Sequence, residues 1–201
     1  MKPTAPSPPL SRRLVCGAAL GLLLPSQGSV AQPAAAGPKR RLREMQIYKV
    51  PELGLAIWVE NQPPWEAALS TANGRPVFVV QAPDHHHPPV AMTYASWPQE
   101  QVPDTQMQQV ASTAVRRASE NFGLNRAQSR ALTLRSAKYG VLSGTESQFE
   151  GRVDGILVDV LVFVGQASGR YPVALSIYTI TGKLIHVREV LRRSWGQLSY
   201  L

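Results

Sequence analysis

Phe149-Glu150-Gly151-Arg152-Val153-Asp154-Gly155-Ile156-Leu157-Val158-Asp159-Val160-Leu161-Val162-Phe163-Val164 is the stretch whose reading decides the fold. Asp154-Gly155 reads as a two-residue hairpin turn, because both residue types tolerate the positive φ that such a turn demands. The segment before it, Val141–Val153, reads as extended. The run after it, Ile156–Val164, is almost continuously apolar, so both faces of that strand need cover and a central place in a sheet is expected. Asp159 is the exception. It shares a face with Leu157, Leu161 and Phe163, so its carboxylate must find a donor or take up a proton. Arg152 or Lys138, on neighbouring strands, is the donor expected.

Working outward, Gly165–Arg170 turns the chain and Val173–Thr179 returns as a strand. Upstream, Ala131–Lys138 is expected to be extended as well. Leu184, Val187, Leu191, Trp195 and Leu198 are spaced for one face of a closing helix, with Gly196 ending it. Glu189 and Arg193 on that helix form an i,i+4 pair, worth roughly 0.3–0.5 kcal/mol. Before the strands, Met107, Val110, Ala111, Ala114, Val115, Ala118 and Phe122 form one apolar stripe, leaving Gln108, Ser112, Arg116 and Ser119 off it. Asp104 stands where an N-cap belongs and Gly123 where a helix stops.

Nearer the N-terminus, Ile47–Val50 and Leu55–Glu60 read as a strand pair. Asn73-Gly74 is a turn signal, and Pro76–Gln81 and Val90–Ser96 read as strands. The whole from Met45 to Leu201 is therefore expected to be one α+β domain: an antiparallel β-sheet meander flanked by helices. Trp58 and Trp195 fall on apolar faces and are assigned to the core. Trp65 and Trp97 sit in Pro-rich loops, where an aromatic side chain either anchors a partner or packs over the end of a core.

The first 31 residues have the layout of a secretory signal. Lys2, Arg12 and Arg13 precede an apolar run from Leu14 to Leu24, too short to span a bilayer, and Ser29-Val30-Ala31 offers small residues for cleavage before Gln32. Ser11-Arg12-Arg13-Leu14-Val15 is loosely similar to a twin-arginine export signal, and the route of export stays open. Cys16 lies at the start of the apolar run rather than after it, which is the wrong place for a lipid anchor. The only cysteine therefore departs with the signal. A periplasmic or secreted location follows, with neither disulfides nor thiol chemistry.

Residues 32–44 are a Pro/Ala segment ending in Lys39, Arg40, Arg41 and Arg43, read as a spacer able to touch an anionic envelope surface weakly. The formal charge of +8 falls to +5 without the signal and to +2 from Gln46 onward. The positive charge thus sits on a tail rather than on a folded face, which argues against a nucleic-acid partner. No transmembrane span is expected.

These elements together resemble a known architecture. The strand pair, middle helix, meander and closing helix, with Phe149–Gly155, the run to Phe163, Ile177-Tyr178, and Gly182-Lys183 through Ser194-Trp195, are similar to the α/β/α sandwich of the photosystem II oxygen-evolving P subunit. That superfamily also includes a Ran-binding transport factor and many exported bacterial proteins. The resemblance implies a non-enzymatic fold used for docking to proteins. The chain lacks the lipobox common among bacterial members and shows no Ran-binding or photosystem-binding motif.

Candidate chemistry is sparse. His85-His86-His87 after Asp84 offers metal-binding side chains, but neighbours in an extended segment point in alternate directions, so only His85 and His87 can converge. Gly140-Val141-Leu142-Ser143-Gly144 has the wrong spacing for a nucleophile elbow, and neither zinc-protease nor phosphate-loop nor dinucleotide motifs occur. No catalytic residue and no cofactor is assigned. The expected role is an exported binding or adaptor protein recognising another envelope or secreted protein through Trp65, Trp97, Arg152 and Asp159, with an immunity or inhibitor protein as its sharper variant. A small-molecule or envelope-glycan binder and a hydrolase are the alternatives.

Overall fold

The computed structural model describes residues 45–201; the expected signal and spacer lie outside the described residues. The chain runs β1 (Met45–Val50), β2 (Leu55–Glu60), β3 (Glu66–Ala72), β4 (Arg75–Gln81), β5 (Val90–Ser96), α1 (Asp104–Glu120), α2 (Arg126–Arg130), β6 (Arg135–Tyr139), β7 (Leu142–Val153), β8 (Ile156–Gln166), β9 (Val173–Ile180), α3 (Leu184–Gly196) and β10 (Ser199–Tyr200). Seven strands form one sheet in the order β3-β4-β5-β9-β8-β7-β6, and β1-β2-β10 form a second, smaller one. Every pairing is antiparallel.

β8 lies between β9 and β7, as its two apolar faces require. On one face Val158, Val160, Val162 and Val164 meet Met107, Ala111 and Val115 of α1. On the other, Leu161 and Phe163 meet Leu184, Val187, Leu191 and Trp195 of α3, in a core that also takes in Leu55, Ile57 and Val59 of the small sheet. The large sheet therefore has α1 on one side and α3 beside the small sheet on the other. This is an α+β arrangement, with the second outer layer only partly helical.

Both hairpin turns fold as their residues dictate. Asp154 and Gly155 have φ of 50° and 82°, and Asn73 and Gly74 have 52° and 75°. Gly123 has a φ of 84° just past α1, a backbone that halts a helix.

Several expectations are corrected. Ala131–Lys138 is not one strand: α2 and a turn come first, and β6 begins only at Arg135. Asn125 opens α2 with a capping box, its side chain accepting from Ala127 and Gln128 while Gln128 accepts from the Asn125 N–H. β8 continues through Gly165 to Gln166, so the turn starts later than its glycine suggested. The buried stripe of α1 is Met107, Ala111, Val115 and Ser119 at strict four-residue spacing. Ser119 belongs there because its hydroxyl donates to the Arg116 carbonyl and needs no outside partner.

Asp104 does not cap α1. Pro103 holds the cap position, and the Asp104 carboxylate instead accepts from Gln166 Nε2 at 2.8 Å and Ser168 Oγ at 2.6 Å, tying α1 to the end of β8. Those donors hold its pKa below the ordinary carboxylate value. Trp58 is half-buried rather than core. Arg193 turns to Glu60, at 2.7 Å, in preference to Glu189.

Candidate functional site

The cross-strand registers place the residues singled out from the sequence. At one end of the large sheet Val90, Thr179, Asp159 and Glu150 fall in one cross-strand row, and the row beside it runs through Glu66, Gln81 and Ala91. Trp65, the histidine loop, Arg152 and Asp159 all lie near this end. Trp97 lies at the opposite end, where its N–H donates to the Pro172 carbonyl at 3.1 Å. Trp65, Trp97, Arg152, Asp159, His85 and His87 are thus not one site.

Trp65 is core. It is 4 % exposed and packs edge-on against the His86 ring at 5.2 Å. A side chain so buried cannot reach a partner, and its place in a Pro-rich loop was the misleading signal. His86 Nδ1 donates to the Pro88 carbonyl at 2.9 Å, whereas His85 and His87 are exposed. Among the described residues no group of three histidine, cysteine or carboxylate side chains is placed to hold a metal.

Asp159 finds its donors in the backbone rather than in Arg152 or Lys138. Its Oδ2 accepts from the Gly182 N–H at 2.8 Å and the Leu184 N–H at 3.4 Å, fastening the turn that starts α3. A carboxylate at the first turn also meets the positive end of the helix dipole. Arg152 is exposed, and its guanidinium donates to the Gly155 carbonyl at 3.0 Å across the hairpin turn. Both are explained by the fold.

The open surface lies elsewhere. In β5, Met92 and Tyr94 point into the core, so alternation turns Ala91, Thr93 and Ala95 to the α1 side. In β4, Phe78 and Val80 point inward and Val77, Val79 and Gln81 outward. α1 packs over β7 and β8. The same face of β3, β4 and β5 is left half-exposed, with Val77, Val79, Thr93 and Ala95 all partly accessible. Thr93 and Ser176 share a hydrogen bond of 2.6 Å in its middle. At its inner margin Tyr178 meets Phe122 edge-on at 5.8 Å.

On the far flank of α1 is a groove of about 480 Å³ lined by Asp104, Met107, Gln108, Ser136, Lys138, Ser143 and Thr145, with Ala137 and Gly144. Gly144 is dictated by space there, since a Cβ would strike the backbone of Val164 and Gly165. Neither surface was visible in the sequence as a site. The signal available was the alternation in β4 and β5, where Val77, Val79, Thr93 and Ala95 form an outward row of small or β-branched side chains.

No protein-family model matches the chain, and no curated protein matches its sequence. Solved structures do resemble it. A protein of Bacteroides thetaiotaomicron superposes with a TM-score of 0.53 at 10 % identity, covering 77 % of this chain and 48 % of that one. The chain thus spans about half of that structure. PA94 of Pseudomonas aeruginosa, a protein of unknown function, gives 0.41 at 10 % identity over 78 % of this chain and 97 % of that one. LpqN of Mycobacterium tuberculosis, involved in cell envelope biogenesis, gives 0.41 at 11 % identity over 80 % and 86 %. At 10 % identity the likeness to the Bacteroides protein is one of fold alone. No helix among the described residues is long and apolar enough to cross a membrane.

Proposed function

We propose that this chain is an exported, non-enzymatic binding protein of the cell envelope, built on the α/β/α sandwich of the photosystem P-subunit superfamily, that holds another envelope or secreted protein. The observation that carries the reading is the half-exposed face of β3, β4 and β5 beside α1. A sheet face without a covering layer, with Val77, Val79 and Ala95 partly accessible around the Thr93–Ser176 pair, is surface that a partner can cover. An immunity or inhibitor role, with a secreted toxin as the partner, is the sharper form of the proposal.

The test is capture of a partner from envelope extract by the chain and by two variants. Val79→Arg puts a charge in the centre of the open face and should abolish capture. Arg152→Ala, at the hairpin, should not. Because Val79 is half-exposed, its variant should melt within a few degrees of the parent. Capture that survives Val79→Arg refutes the face. A second reading is favoured by the polar groove at α1: a retained glycan or small molecule, with no protein, would place function there.

A further inference from the structure

Among the described residues the large sheet has two free edges, and they are treated differently. β6 carries Arg135 and Lys138, both exposed and on opposite faces of the strand, so a second strand approaching it meets positive charge from either side. β3, Glu66-Ala67-Ala68-Leu69-Ser70-Thr71-Ala72, has neither lysine nor arginine nor proline. It pairs with β4 without a bulge from Glu66↔Gln81 to Ala72↔Arg75. Among the described residues nothing lies beyond it. Among the described residues β3 thus has no bulge, proline, lysine or covering element to protect it.

The register says which groups face outward. A two-residue hairpin makes its flanking pair, Ala72 and Arg75, a hydrogen-bonded one, and alternation then turns the N–H and C=O of Ser70 and Ala68 toward β4. Pro76, which has no N–H, falls opposite Thr71 at a position where none is needed. The N–H and C=O groups of Ala67, Leu69 and Thr71 therefore point away from the sheet.

We infer that β3 pairs antiparallel with β3 of a second copy of this chain, about a twofold axis at Leu69, joining two large sheets into one. In that register Leu69 meets Leu69, and Ala67 meets Thr71. All three outward-facing residues are then satisfied in both copies, by about six hydrogen bonds. Leu69 is 46 % exposed on the side of Phe78, its own cross-strand neighbour, and the second Leu69 covers it. Charge is complementary. Glu66 falls opposite Ala72 of the second copy, which is itself paired with Arg75, so acid and guanidinium lie on one cross-strand row. Arg75 is available, its present contact with Glu100 being a 3.5 Å pair exposed on both sides. The arrangement is isologous and closes at two copies.

Sedimentation equilibrium of the purified chain tests this. A monomer–dimer equilibrium is expected, and Leu69→Arg, which sets two like charges directly opposite each other, should shift it to monomer by at least tenfold in dissociation constant. The melting of dilute Leu69→Arg should match that of the dilute parent, because the side chain is half-exposed. Lys138→Ala, at the other edge, should leave the equilibrium unchanged. A chain that stays monomeric up to about 200 µM overturns the inference. So does a dimer indifferent to Leu69→Arg, or one that Lys138→Ala alters. Loss of dimerisation leaves capture by the open face intact, so the two proposals fail separately.

Discussion

Replacing Arg193 by Met should cost far more than replacing Arg193 and Glu60 together. Glu60 ends β2 at 2 % exposure, under α3, and its Oε1 lies 2.7 Å from Arg193 Nη2. Neither carboxylate oxygen has a well-aligned hydrogen-bond donor, so the guanidinium charge is the compensation for burying this acid. Breaking a buried pair from one side leaves an uncompensated charge and typically costs about 3–5 kcal/mol. Arg193 keeps 28 % of its side chain exposed, which admits some solvent and puts the expectation near 3 kcal/mol. In a domain of this size that is a fall of roughly 6–12 °C in melting temperature. Glu60→Met with Arg193→Met removes both charges and fills the space with apolar atoms, so it should lie within about 1 kcal/mol of the parent. Urea unfolding of the parent, both single variants and the double variant closes the cycle, with a coupling of about 2 kcal/mol or more expected. Additive single effects would show that Glu60 is solvated by other means and refute the reasoning.

Trp65→Ala should cost about 3–5 kcal/mol by emptying a core site, and Trp97→Ala appreciably less, both read by urea unfolding; equal losses would count against the placement of Trp65. Acid sensitivity should depend on Asp104, whose folded pKa is depressed by Ser168 and Gln166. Its stabilisation is present above the unfolded carboxylate pKa, near 3.8, and is lost as pH falls through the lower folded value. An NMR titration should find Asp104 below the ordinary range, and Asp104→Asn should flatten the acid limb of stability.

What the sequence disclosed follows from how local each signal is. The turns at Asp154-Gly155 and Asn73-Gly74 are set by their own backbone demands, and both formed. The central position of β8 follows from an apolar run that needs cover on two faces. β3 went unseen because Glu66–Ala72 is rich in alanine and has neither β-branched periodicity nor a buried face. Yet the Asn73-Gly74 turn needs a strand on each side and could have revealed it. α2 is a single turn, and its Asn125/Gln128 capping box was the only mark it left. Asp159, Asp104 and Arg193 were misassigned for another reason. Each is satisfied by a group far away in the chain, the Gly182 turn, the end of β8 and the end of β2, which no spacing rule reaches.

The small sheet has one more consequence. β1 and β10 flank β2, so the domain is entered at Met45 and left near Tyr200 on the same three strands. Tyr171 and Tyr200 reinforce that junction: the Tyr171 hydroxyl donates to the Gly54 carbonyl at 2.6 Å and Tyr200 donates to the Tyr171 carbonyl at 2.9 Å. These strands back the large sheet on the side opposite α1. Met45 and Tyr200 therefore lie on the side of the domain away from the Val79 face. A tag or surface linkage joined after Leu201 should leave that face unobstructed.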